Sequence, residues 1–143
     1  LQEELYLLTS HNKYNTANVT IRDINFTELV MMNKQHCLHS QSLSINPDWY
    51  EQKDGLKESS IDSLESLYAQ VKLSSGVAII PALFSLEVKQ KADDNVKIVL
   101  FNKPVPSRIL SLVWRSDSPR MHVVETFKNA LRAINIPGLQ VIV

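Results

Sequence analysis

Val77-Ala78-Ile79-Ile80 is the segment that most restricts what this chain can fold into. Four apolar residues in succession cannot turn alternate side chains to water, so they form a strand buried on both faces. Before this run, Leu64, Leu67, Tyr68 and Val71 recur at helical spacing. That spacing predicts a helix opening at Asp62, with Glu65 as its capping-box partner and a left-handed cap at Gly76. After the run, Pro81 suits the first turn of a short helix reaching about Val88. A helix, a doubly buried strand and another helix in this order point to an α/β sheet with helices on its faces.

The rest of the chain repeats the pattern. Leu5-Tyr6-Leu7-Leu8, Leu29-Val30-Met31-Met32, Val96 to Phe101 and Arg108 to Arg115 read as strands. Thr9 to Asn18 reads as a polar loop, and residues 46 to 60, with Pro47, Asp48 and Gly55, as a surface excursion. Pro104-Val105-Pro106 is a stiff crossover with no backbone donor at either proline. Ser118 and Pro119 open a final helix whose buried stripe is Val124, Phe127, Leu131 and Ile134, ended by Pro137-Gly138. Strands alternating with helices predict α/β architecture with a mostly parallel sheet.

Composition narrows the function. The 143 residues carry 15 Lys plus Arg against 15 Asp plus Glu, which argues against DNA binding by this chain itself, because phosphate neutralisation needs a concentrated basic surface. Gly55, Gly76 and Gly138 lie too far apart for a dinucleotide or phosphate loop, so no cofactor is expected. Cys37 is the single cysteine, which excludes a disulfide within the chain and a zinc knuckle and suits a reducing compartment. No run approaches the ~18 apolar residues of a membrane span, and Leu1-Gln2-Glu3-Glu4 lacks the basic start of a signal peptide. The reading is a soluble, cytoplasmic chain without membrane partners. A start at Leu1 reads as a fragment of something longer. Without a signal peptide, the sequons at Asn18 and Asn25 read as chance.

Asp62-Ser63-Leu64-Glu65-Ser66-Leu67, then Ser74-Ser75-Gly76-Val77-Ala78-Ile79-Ile80-Pro81, then Leu110 to Arg115 and Ser118-Pro119, resemble in order and spacing the effector domain of LysR-type transcriptional regulators. Ser74 replaces the commoner first glycine. The resemblance covers nearly the whole chain and implies a fold like a periplasmic binding protein, with two α/β lobes and a cleft between them. Residues 1–102 then correspond to the second lobe, and 103–143 to the crossover and the carboxyl-terminal part of the first lobe. Binding to DNA is expected only through an amino-terminal domain outside this chain, and self-association through the regulatory domains.

Within that family the peroxide-sensing OxyR branch is the nearest in motif. Its strand followed by G-H-C-L-R-D-Q is similar to Gln35-His36-Cys37-Leu38-His39-Ser40-Gln41, and its L-P-A-L to Ile80-Pro81-Ala82-Leu83. The resemblance places Cys37 on the peroxide-reactive cysteine, His36 on the preceding histidine and Arg108 on an arginine reaching the site from the returning strand. It places the resolving cysteine at Asn46, so the branch's intramolecular disulfide cannot form. His39 and Ser40 replace Arg-Asp.

Each of these residues has two readings. A lone cysteine after an apolar strand is also ordinary buried packing. Its reactive form, the thiolate, needs a cation or a helix amino terminus; His36, His39 and Arg108 are candidate cations, and residues 38 to 45 the candidate helix. As metal ligands, His36, Cys37 and His39 fail because adjacent residues diverge on a helix and no fourth ligand is near, so no metal is expected. Ser60 and Ser63 are either helix-capping residues or ligands for a small organic inducer at a helix terminus. His11 and His122, with Lys53, Lys57, Lys89 and Lys91, read as solvated. Ser75-Gly76 precedes a strand, unlike a nucleophile elbow, and no enzyme is expected.

Overall fold

The computed structural model describes residues 1–10, 12–14, 16–55 and 59–142; His11 and Lys57 lie outside them. Its centre is strand β1, Gln2–Thr9, in which Leu5, Leu7 and Leu8 are buried. The carboxyl-terminal half of β1 lies between β3, Val77–Pro81, and β4, Lys97–Phe101. Both pairings are antiparallel, from Leu5↔Pro81 to Thr9↔Val77 on one side and from Leu7↔Val99 to Thr9↔Lys97 on the other. All five residues of β3 are buried, as a run without polar residues requires.

The amino-terminal half of β1 turns to other neighbours. Gln2, Glu3 and Glu4 pair antiparallel with β5, Ser107–Ile109, and Gln2 and Glu3 also with β6, Leu139–Gln140. One strand thus ties the chain's beginning to its last third.

The mostly parallel sheet needs amending at this strand. The two-residue β2, Asn18–Val19, is parallel to β4, and Leu29 bridges Val77 in parallel, so β2, β3 and β4 run the same way. β1 runs against all its partners and separates β3 from β4. Apolar periodicity reports which faces are buried and carries no information about strand direction.

Two other segments depart from expectation. Leu29 to Met32 forms no ladder beyond the Leu29 bridge and the bond from the Val30 amide to the Val77 carbonyl, 2.7 Å. Side chains take its later carbonyls instead, Ser59 at Met31 and His39 at Met32. The surface excursion contains the helix α2, Pro47–Glu51, and inserts Trp49 into the core against Phe26, with ring centroids 6.3 Å apart.

The helices carry the expected faces with shifted ends. α1 spans Cys37–Ser44, and α3 spans Leu64–Ser74 with Leu67, Tyr68 and Val71 buried. The cap of α3 is Ser63, whose hydroxyl accepts from the Ser66 amide, in place of Asp62. Ser75, at φ 53°, takes the left-handed position expected of Gly76. Gly76 answers a different demand: a Cβ there would sit 2.7 Å from Val30 Cγ2.

α4, Ala82–Gln90, starts directly after Pro81. α5, Met121–Arg132, starts later than expected, capped at Arg120. Its stripe is not buried: Phe127 is 51% exposed, and Val124 and Leu131 are half-buried. The expected strand to Arg115 stops at Ile109, so Leu112 and Trp114 also stay partly open to solvent.

Candidate functional site

A turn at Lys34 and Gln35, closed by the His36 amide on the Asn33 carbonyl at 2.9 Å, leads from Met32 into α1, and this junction sets the position of Cys37. His36 is the N-cap, with extended backbone at φ −83° and ψ 131°. Its Nδ1 accepts from the Leu38 amide at 3.2 Å. The imidazole thus serves α1 as its side-chain cap. Cys37 is the first helical residue and is exposed. It occupies the end of α1 where unpaired amides and the helix dipole favour negative charge.

His39 faces back along the chain. Its Nδ1 lies 2.8 Å from the Met32 carbonyl and must donate, which pins α1 to the segment that delivers it. Ser40, where the OxyR branch has aspartate, donates to the Cys37 carbonyl at 3.0 Å. Leu38 and Leu43 anchor the other face of the helix in the core. Asn46, at the position of the missing second cysteine, caps α2 by accepting from the Asp48 amide.

Arg108 reaches this helix from β5. Its Nε donates to Glu3 Oε2 at 2.8 Å, and its Nη1 donates to Gln41 Oε1 at 3.2 Å. Gln41 lies one helical turn beyond Cys37, so Arg108 grips the face of α1 that carries the thiol. Glu3 is buried completely, and its second oxygen accepts from the Leu83 amide in the first turn of α4 at 2.9 Å. Nothing in the alternation of β1 marked Glu3, because an acidic residue at a strand start reads as exposed. The signal available was Arg108 itself, a cation on a returning strand that needs a partner.

Ser60 and Ser63 are not brought into one ligand-facing pair. Ser63 serves α3 as its cap and also donates to Ser66 Oγ at 3.0 Å, while Ser60 is exposed. Their neighbour Ser59 bonds the Met31 carbonyl at 2.7 Å and accepts from the Ile61 amide at 3.2 Å.

Two further clusters lie outside this site. Lys72 and Tyr68 both bond Asp93, and the Lys72 ammonium foremost holds the Asp93 carboxyl down to about 2. Burial, followed by the bond to Glu4, pushes the Tyr6 phenol up to about 12. A cleft of about 300 Å³ opens between the end of β5 and α5, lined by Leu110, Leu112, Trp114, Phe127, Leu131 and Ile142. None of the site residues expected from the sequence lines it. Among the described residues, no group of three or more His, Cys, Asp or Glu is placed to hold a metal ion, and no helix is long and apolar enough to cross a membrane.

No family model matches the chain. Individual proteins do. It is 30% identical over 136 residues to the DNA-binding transcriptional dual regulator OxyR of Escherichia coli K12, covering 93% of this chain and 43% of that protein. It is 28% identical over 134 residues to a hydrogen peroxide-inducible genes activator of Haemophilus influenzae, covering 91% and 42%. Against the HTH-type transcriptional regulator EstR of Acinetobacter baylyi it is 25% identical over 134 residues, covering 93% and 44%. The chain therefore spans less than half the length of these relatives.

Solved structures agree on the fold. The reduced OxyR regulatory domain of Pseudomonas aeruginosa superposes with a TM-score of 0.75 at 24% identity, covering 93% of this chain and 63% of that one. A reduced form of OxyR from N. meningitidis gives 0.81 at 17% identity, covering 99% and 67%.

Proposed function

We propose that this chain, an OxyR-like regulatory domain of the LysR type in its sequence and fold, is the sensor part of a bacterial transcription factor, with Cys37 as the sensing group. The observation that carries this reading is the placement of Cys37. An exposed thiol at the first position of a capped helix has the access and the field that a reactive thiolate needs.

The chemistry follows from that placement. The Cys37 thiolate attacks one oxygen of hydrogen peroxide, an S–O bond forms and the O–O bond breaks, leaving Cys37 as sulfenic acid and releasing hydroxide, which takes a proton to become water. Sulfur is oxidised by two electrons and peroxide is reduced. With Asn46 in place of a second cysteine, the product persists as sulfenic acid, as a mixed disulfide with a small thiol, or as a bridge between two copies. Thiol redox state in the cytoplasm is the wider class of signal to which such a group responds. The dipole of α1 supports the thiolate, with His36 as the cap of that helix, His39 tying it to the Met32 carbonyl and Arg108 contributing through Gln41.

Residues 1–102 serve as the second lobe and 103–143 as the crossover and returning part of the first. The response reaches DNA through a separate domain. The open apolar cleft along α5 supports association through the regulatory domain.

Mass spectrometry after one equivalent of peroxide tests the sensor role. Gain of one oxygen or of a small thiol at Cys37 is expected; an unmodified Cys37 in folded protein ends the redox reading. A second reading is regulation by a small organic inducer without redox chemistry, favoured by the match to EstR, whose name carries no link to peroxide. Titrating Cys37→Ser protein with candidate metabolites separates the two, since retained induction in that variant supports binding.

A further inference from the structure

Among the described residues Glu3 is the one fully buried carboxylate, the sensing chemistry leaves it unused, and its bonds join distant parts of the chain. One oxygen holds the Leu83 amide of α4, 80 residues away, and the other holds Arg108 Nε, 105 residues away. Arg108 then spans to Gln41 on α1. An Arg side chain has several rotamers, and the planar guanidinium donates in fixed directions. With Nε fixed on Glu3, Nη1 is directed at the Gln41 carbonyl. The anion therefore does more than neutralise the cation: it selects the orientation that clasps the helix carrying Cys37.

We propose that Glu3 is a positioning residue, whose buried carboxylate aims Arg108 at Gln41 and so fastens the Cys37 helix to the strands β1 and β5. This rests on the reading of Cys37 as the sensing thiol. The clasp is where a change at Cys37 passes to β1 and β5. It is well placed to do so because its final bond, at 3.2 Å between a charged donor and a neutral amide, is its longest and yields first.

The test uses the full natural protein and three variants. Gln41→Ala removes only the last link from a half-buried position and leaves the core intact. Glu3→Gln keeps size and an acceptor but loses the charge. Gln41→Glu keeps an acceptor for Arg108 and serves as the rescue. Hydrogen exchange of amides 40–44 is expected to speed up about tenfold in Gln41→Ala and in Glu3→Gln, with amides 68–74 of α3 unchanged, and to stay slow in Gln41→Glu. The peroxide rate constant of Cys37 is expected to change at least about threefold in the first two and to be restored in the third. The double variant Glu3→Gln/Gln41→Ala should behave as the worse single one, because both substitutions cut one chain of bonds. Unchanged exchange in Gln41→Ala, additive effects in the double variant, or loss of protection in Gln41→Glu overturns the proposal. If wild-type Cys37 ignores peroxide while exchange responds as described, the clasp stands and the sensor reading falls.

Discussion

Arg108→Met removes the cation from a carboxylate with no access to water. The Glu3 side chain is 0% exposed and that of Arg108 17%, so solvent screens the pair little. After substitution Glu3 keeps the Leu83 amide but loses the 2.8 Å bond from Nε, and Gln41 loses its donor. Removing one member of a buried pair costs about 3–5 kcal/mol, because the remaining charge stays in a low dielectric. The surviving amide bond places Arg108→Met at the lower end, about 3 kcal/mol. For 143 residues, an unfolding entropy of about 2.1 cal/mol/K per residue converts this to a fall in Tm of about 10 °C. Urea and thermal unfolding measure both quantities. The control is the double variant Glu3→Gln/Arg108→Met, in which no charge is buried and the amide oxygen still accepts from Leu83. It should recover about 1.5 kcal/mol or more relative to Arg108→Met. A double variant as unstable as the single would refute burial of charge as the cause, as would a cost below about 1 kcal/mol for Arg108→Met.

Trp49→Ala should cost about 3–5 kcal/mol in urea unfolding, since Trp49 is buried against Phe26, whereas a surface excursion would tolerate it. Gly138→Ala is expected to lose about 2–4 kcal/mol by the same assay, because Gly138 has φ +81° and a Cβ there would meet the Tyr6 hydroxyl and lie 2.6 Å from Ala82 Cβ. Asp93, lowered from 3.8 to about 2, contributes stability that is fully present above 3.8 and is lost as pH falls through about 2. Carboxyl NMR should show that midpoint, and Lys72→Ala should move it upward.

Much of this architecture was legible because burial leaves a periodic trace. The run from Val77 to Ile80 and the stripe Leu67, Tyr68, Val71 could be read directly, since nothing but burial produces them. Direction and pairing left no such trace. β1 is apolar whether it runs with its neighbours or against them, and only the fold shows that it runs against them. The stripe of α5 was visible as periodicity, yet periodicity records what a face is suited to meet and not whether it is met; Phe127 remains half exposed. At the site, the run around Cys37 marked a strand end leading into a helix, and Arg108 was named only through the family resemblance. Glu3 escaped because its role depends on contacts across 80 and 105 residues, which no local pattern encodes. Asn46 had a legible absence, the missing thiol, and an illegible presence, the cap of α2.

Under the proposed sensing role, the single thiol sets how strongly oxidation can bias the domain. A disulfide within the chain would pull two segments together, whereas sulfenic acid or a small-thiol mixed disulfide at Cys37 adds only a substituent at one helix end. A sulfenic acid brings one new oxygen, and one net hydrogen bond is worth about 0.5–1.5 kcal/mol, a bias of about 2- to 13-fold between two arrangements. Carrying a population from 1:99 to 99:1 takes about 5.5 kcal/mol. Sulfenic acid alone therefore switches this domain only if the two arrangements already lie within about 1–2 kcal/mol of each other. A mixed disulfide with an acidic thiol adds bulk and places a carboxylate by the amides of α1, worth a further 0.3–1 kcal/mol or so at an exposed terminus. Even then the sum stays below the all-or-none requirement, so under the proposed redox role oxidation of one copy gives a graded response, and a sharp one would require coupling between copies, each adding its own small bias to a shared transition.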